Sequence, residues 1–192
     1  MADILEVLKE TGALKEGHFL LSSGLHSGNY CQCAALFEHP DKAELAARAM
    51  AEKLAGLPKP DVVLAPALGG VLWGYELARA LGVRSIFAER PDGISFALRR
   101  GFVLEKGQRV LLAEDVITTG KSVSELLPII EDAQCEVVGF AAVANRSGGK
   151  FAPGHPVFSL VDLNFPTYQP ADCPLCREGK GPAIKPGSRA NA

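Results

Sequence analysis

The stretch Arg109-Val-Leu-Leu-Ala-Glu-Asp-Val-Ile-Thr-Thr-Gly-Lys-Ser122 reads as a buried strand that delivers two adjacent carboxylates into a short polar turn opening a helix. Its apolar run, residues 110–113, suits a parallel strand covered on both faces. Glu114 and Asp115 follow at the C-terminal end of that strand, where open α/β sheets bind ligands. Thr118, Thr119, Gly120, Lys121 and Ser122 then supply hydroxyls and unpaired backbone N–H groups, which favour a phosphate. Carboxylates suited to ribose hydroxyls or a magnesium ion thus stand beside a turn suited to an anion, the outline of a phosphosugar site. The plainer alternative is an acidic strand end before an ordinary capped helix. A Walker A loop is excluded, because its first glycine would fall at Asp115, and a carboxylate inside a triphosphate cradle repels the ligand.

Outward from this stretch, strands and helices alternate. Strands are expected over 61–65, 84–89, 109–113, 136–144 and 157–163, and helices over 41–55, 70–81 and 122–132, the last bent or ended by Pro128. That alternation predicts a mainly parallel sheet flanked by helices. Before it, a short helix over 2–11 and strands over 17–24 and 29–33 make an antiparallel appendage; the last dozen residues are expected to be poorly ordered. At 192 residues and 47% hydrophobic content, the chain fits a single domain.

A net charge of −2 gives no bulk attraction to nucleic acid or to an anionic membrane, which favours small anionic metabolites as partners. No apolar run reaches the roughly 20 residues that span a bilayer, and the first residues lack a basic segment before an apolar one. Five cysteines are an odd number in a chain able to bury a core without staples. The expectation is a cytoplasmic protein with reduced thiols.

Three further loops face the same sheet edge. Ala65-Pro-Ala-Leu-Gly-Gly70 offers a second anion site, or else a glycine pair for close helix–strand packing. The connection from Arg90 to Gly101 is rich in Arg and Gly and longer than a turn, as lids often are, or else a solvated hairpin. Arg146, after the strand 136–144, can grip a carboxylate in a bidentate fork, or else stand on a surface turn.

The strand, acid pair, two apolar residues and Thr-Thr-Gly of 109–122 resemble the 5-phosphoribosyl-1-diphosphate (PRPP) motif of the type I phosphoribosyltransferases. The resemblance extends over nearly the whole chain to the orotate phosphoribosyltransferases, in their compact thermophile-type bacterial branch. It is carried at the front by Gly17-His-Phe-Leu-Leu-Ser-Ser-Gly-Leu-His-Ser27, in the middle by Phe87-Ala-Glu-Arg90 and Leu98-Arg-Arg-Gly-Phe102, and at the end by Cys173-Pro-Leu-Cys-Arg-Glu-Gly179 and Lys185-Pro-Gly-Ser-Arg189. The resemblance implies a core over about 36–163 and a small hood from about 1–35 and 164–192.

Carried over position by position, the resemblance implies PRPP binding by Glu114, Asp115, Val116, Ile117, Thr118, Thr119, Gly120, Lys121 and Ser122, by the pyrophosphate loop residues Ala67, Leu68 and Gly69, and by Arg90. A cis non-proline peptide is expected at Ala67–Leu68. Orotate would meet Thr118, Arg146 and Tyr30, while Asp115, Arg99 and Arg100 would serve catalysis, the arginines by neutralising the departing pyrophosphate. Magnesium is implied as the cofactor, held mainly through PRPP with Glu114 and Asp115 available to it. The implied reaction gives orotidine 5'-monophosphate and pyrophosphate in pyrimidine biosynthesis, and the implied assembly is a homodimer. Many orotate enzymes carry lysines where this chain has Gly69 and Ser22, and no lysine occurs between Arg84 and Glu105. A purine or xanthine phosphoribosyltransferase and a non-catalytic PRPP sensor therefore stay open as alternatives. Finally, a hood joining both chain ends would bring Cys31 and Cys33 toward Cys173 and Cys176, four thiolates that could bind a structural zinc.

Overall fold

The computed structural model describes residues 3–21 and 23–186. Ser22, the expected helix start at residue 2, and the tail residues Gly187, Ser188 and Arg189 lie outside the described residues, as do the last six of the dozen expected to be poorly ordered.

Helix α1 (Ile4–Glu10) starts where the Asp3 carboxylate accepts the Leu5 N–H at 2.9 Å, and it buries Ile4, Val7 and Leu8 on one face. Strands β1 (Leu14–Leu20) and β2 (His26–Cys31) form an antiparallel hairpin, followed by a 3₁₀ turn (Cys33–Glu38) and helix α2 (Pro40–Lys53). The alternating core then runs β3 (Val62–Pro66), α3 (Gly70–Leu81), β4 (Arg84–Glu89), β5 (Ala97–Leu98), β6 (Arg109–Ile117), α4 (Lys121–Ser124), α5 (Leu127–Asp132), β7 (Glu136–Asn145) and β8 (Val157–Asp162). The chain ends through β9 (Thr167–Tyr168), a second 3₁₀ turn (Pro170–Asp172) and helix α6 (Pro174–Arg177).

Two sheets result. Six strands in the order β5-β4-β3-β6-β7-β8 make the core sheet, parallel except for β5, and β1-β2-β9 make the three-stranded antiparallel hood. The expected architecture of a mainly parallel sheet with helices on its faces is therefore present. Side-chain alternation along β6 sends Leu111 and Ala113 into one apolar layer with Trp73, Leu77 and Met50, and Val110 and Leu112 into another with Leu126, Ile130 and Phe140. Each of the buried Val, Leu, Ile, Met and Phe side chains contributes roughly 1.5–3 kcal/mol by leaving water. The buried Trp73 indole keeps its N–H satisfied by donating to the Ala141 carbonyl at 3.0 Å.

Several boundaries differ from the sequence expectation. Strand β6 runs to Ile117 instead of stopping at residue 113, because β7 continues beside it as far as the Ile117–Asn145 pair after β3 has ended its pairing at Leu112. The hood hairpin begins at Leu14 and its second strand ends at Cys31, so Cys33 opens a 3₁₀ turn rather than closing a strand. The helix expected over 122–132 is two short helices, since Pro128 has no N–H to give to Ser124 and its ring crowds that carbonyl. The connection after Arg90 folds back as a hairpin, pairing β5 with β4. No helix among the described residues is long and apolar enough to cross a membrane.

Candidate active site

The polar turn after β6 depends on Gly120, which has φ of 73° and ends the turn ahead of α4. A Cβ at this position would lie 2.0 Å from the Phe151 ring, so only glycine lets the ring seat against the turn. Phe151 in turn stacks edge-on against Phe140 of β7, at 5.3 Å between centroids. The turn carrying Thr118 and Thr119 is thereby packed against the loop that follows Arg146.

The two carboxylates occupy different surroundings. Asp115 lines an open cleft, and its Oδ1 accepts the Val116 N–H at 2.8 Å. A Cβ on Gly69 would lie 3.1 Å from the same oxygen, so this glycine lets the β3–α3 loop approach Asp115 closely. Its neighbour Gly70 serves packing, as a Cβ there would meet the Ala113 carbonyl at 3.0 Å. The glycine pair thus serves close approach, Gly70 to β6 as the packing reading expected and Gly69 to the Asp115 side chain. The peptide Ala67–Leu68 is cis, as expected. Glu114 is 9% exposed, and burial first, then the charge of Asp115, pushes its carboxyl up to about 9. It is a neutral acid at pH 7, a state that adjacency in sequence does not reveal.

The cleft has a volume of about 730 Å³, within the range of small-molecule sites. Asp115, Thr118 and Thr119 line it from the core, Tyr30 and Cys31 from the hood, and Arg146 from the end of β7. Arg146 is positioned by its backbone N–H, which donates to Ile117 O at 2.7 Å, and its guanidinium stands 5.5 Å from the Phe165 ring. Tyr30 leans on Phe19 at 5.7 Å. The expected residues Asp115, Val116, Thr118, Thr119, Tyr30 and Arg146 therefore share one cleft.

The cysteines behave differently from the expectation. Cys31 and Cys33 face one another at 3.8 Å, and both line this cleft. The Cys33 hydrogen bond draws the Cys31 thiol below its usual range, helped by Arg146, while the same bond and burial raise Cys33 well above it. They do not join Cys173 and Cys176, which gather with His18 and His26 instead, so the four-thiolate zinc site is not formed. Sequence reading missed this thiol pair as cleft wall; the signal was a Cys-x-Cys next to Tyr30.

The loop arginines stand apart from the cleft. Arg90 pairs with Glu125 beyond the polar turn, donates to the Ile94 carbonyl and covers the Phe96 ring at 3.9 Å. Arg100 makes a bidentate pair with Glu89, both contacts 2.8 Å, which holds the Glu89 carboxyl below its usual value. Arg99 is exposed on the same hairpin. Neither Arg99 nor Arg100 reaches the Asp115 cleft of its own chain.

The chain as a whole has close relatives among known proteins. The chain is 52% identical over 185 residues to the orotate phosphoribosyltransferase of Caldicellulosiruptor saccharolyticus, covering 96% of this chain and 95% of that one. It is 48% identical over 189 residues to the orotate phosphoribosyltransferase of Thermotoga maritima, covering 97% and 98%. Among solved structures, orotate phosphoribosyltransferase from Aeropyrum pernix superposes with a TM-score of 0.72 at 25% identity, over 83% of this chain and 93% of that one. The family described as the phosphoribosyl transferase domain matches residues 33–171, from the first 3₁₀ turn through the core sheet to the second 3₁₀ turn, and the chain belongs to that family.

Proposed function

We propose that the protein transfers the 5-phosphoribosyl group of PRPP to orotate, giving orotidine 5'-monophosphate and pyrophosphate. The observation that carries this reading is the single cleft in which Asp115 and the threonine turn face Arg146 and Tyr30, a donor end and an acceptor end. The carboxylate of an anionic pyrimidine gives an arginine a full opposite charge to pair, which a neutral purine does not.

Thr118, Thr119, Gly120, Lys121 and Ser122 hold the 5-phosphate through hydroxyls and backbone N–H groups, with Val116 and Ile117 setting the turn. Glu114 and Asp115 take the ribose hydroxyls, and Ala67, Leu68 and Gly69 line the pyrophosphate, with Arg90 bracing the turn through Glu125. Arg146 and Thr118 hold orotate while Tyr30 covers the ring. This arrangement keeps the orotate ring nitrogen in line with C1 of the ribose, so that the new bond forms as the bond to pyrophosphate breaks and its electron pair leaves with the pyrophosphate. Orotate ionises readily, so no strong protein base is needed.

The side-chain oxygens of Asp115, Thr118 and Thr119 in the cleft fit magnesium. Bound through the diphosphate, the ion would draw charge from the leaving group. Arg99 and Arg100 act electrostatically on pyrophosphate across a homodimer, since they lie away from their own cleft. The exposed apolar side chains Leu68, Leu72 and Tyr75, on the pyrophosphate loop and α3, support a second copy as their cover. The protein is placed in the cytoplasm with the rest of soluble nucleotide metabolism.

The test is orotate consumption, followed by absorbance with PRPP and magnesium, with adenine, hypoxanthine, xanthine and uracil as parallel acceptors. Orotate alone should turn over. Turnover of another base would move the acceptor assignment, and PRPP binding without turnover of any base would make the protein a sensor. Mixing Asp115→Ala chains with Arg99→Ala/Arg100→Ala chains should restore activity in mixed dimers; no restoration would return the arginines to their own subunit or remove them from the reaction.

A further inference from the structure

Outside the cleft, three separate segments of the hood aim lone pairs at one point. His18 comes from β1, His26 from β2, and Cys173 and Cys176 from the cap and body of α6. Their ligand atoms all lie within 4.8 Å of one another. His18 Nε2 stands 2.9 Å from His26 Nδ1 and 3.6 Å from each cysteine sulfur, and His26 Nδ1 stands 3.4 Å from Cys176 Sγ. A tetrahedron built on Zn–N bonds of about 2.05 Å and Zn–S bonds of about 2.3 Å has edges of about 3.3 Å between nitrogens and about 3.6 Å from nitrogen to sulfur. The observed spacings fit those edges with little movement.

We propose that His18, His26, Cys173 and Cys176 form a structural zinc site that fastens the N-terminal hairpin to the C-terminal segment. Two sulfurs and two imidazole nitrogens select zinc over oxygen-seeking cations. The Nδ1–H of His18 donates to Gly181 O at 2.8 Å, which leaves Nε2 as the lone pair facing the centre and supplies the outer hydrogen bond that ligating histidines use. His18, His26 and Cys173 are buried, and exposed Cys176 closes the solvent side. All four ligands provide protein donors, so no position is open for catalysis. The site also lies where the segments already meet: Ile184 N–H donates to His18 O at 2.8 Å, and Leu20 N–H donates to Ile184 O at 2.9 Å. None of the four residues falls within the family match at 33–171, so the site belongs to the hood and not to the shared core. The proposal is independent of which base the cleft accepts.

The experiment is elemental analysis of the full-length protein, purified under reducing conditions from zinc-supplemented cells. Equimolar zinc is expected, and chelation should lower the melting temperature. Cys173→Ser/Cys176→Ser should lose the metal, while Cys31→Ser/Cys33→Ser should keep it. Because the first variant can fail to fold, cobalt exchange into the wild-type chain gives a second readout: visible absorption bands of a tetrahedral thiolate complex are expected. Metal-free folded protein without a tetrahedral cobalt spectrum, or a Cys173–Cys176 disulfide in the freshly purified chain, would overturn the site. Full zinc content in the double-serine variant would overturn it equally.

Discussion

Strand β3 of the core sheet is buried at every position, whereas β1 of the hood buries Leu14, His18 and Phe19 and leaves Lys15, Glu16 and Gly17 exposed. Around β3 and β6 the interior is apolar on both faces except for Glu114 on β6, while the hood's interior includes His18, His26 and Ser27. The difference separates two kinds of cohesion. Apolar burial supplies most of the core's cohesion, with a dependence on pH through Glu114, whereas the hood is held in part by hydrogen bonds between buried polar side chains, His18 to His26 at 2.9 Å among them, and by the proposed metal. Since the proposed donor end of the cleft rests on β6 and Tyr30 of the proposed acceptor wall on β2, the two should respond to different perturbations.

The sharpest way to strike the core end alone is Gly120→Ala. A methyl group there collides with Phe151 and occupies a backbone conformation that favours glycine. Displacing the turn by an ångström should cost about 100-fold or more in PRPP affinity, measured by calorimetry, with zinc content unchanged. Equal PRPP affinity would show that the turn does not hold the phosphate. Next in size, Arg146→Ala should weaken orotate by roughly 10- to 100-fold, the worth of a lost charge-assisted pair, and PRPP far less. Comparable losses of both ligands would merge the two ends that the comparison separates.

A proton offers a third way. Burial raises Glu114 to about 9 from its ordinary 4.5, so the folded chain keeps a proton that the unfolded chain has released. Stability should therefore fall as pH climbs between those values, by up to about 1.4 kcal/mol per pH unit, and level off above them. Glu114→Gln should flatten that slope in urea titrations at pH 6 and pH 8; an unchanged slope would assign it to another group. The smallest effect belongs to the hood side, where Tyr30→Ala should raise the KM for orotate about two- to tenfold, the worth of an aromatic stack, and leave PRPP binding intact.

The core was legible because its signals are local. An apolar run, an acid pair and Thr-Thr-Gly fall within 109–122, and no distant partner is needed to read them. What the sequence could not show was how far β6 continues, since β7 decides that through pairing as far as Asn145. The hood was less legible for the same reason. Lys15 and Glu16 are poor strand formers and are recruited by pairing with Tyr30 and Asn29 across the hairpin. The Cys-x-x-Cys at 173–176 was visible as half a metal site, but its partners are histidines on two different strands, which only the fold brings together. Arg146 was visible as an arginine after a strand, yet nothing local revealed that Phe165 would flank it.

The acceptor wall has a temporal consequence. Strand β2, which carries Tyr30 and Cys31, pairs on its outer side with β9, and β1 meets Ile184 near the end of the described chain. During synthesis, residues 62–162 supply every strand of the core sheet before those late partners emerge from the ribosome. A released fragment ending near residue 163 would thus hold every core strand and the proposed phosphate-binding turn, while β2 and its Tyr30 lacked the partner strand β9. The wall of the cleft that carries Tyr30 is therefore the last part of the molecule to gain its neighbours.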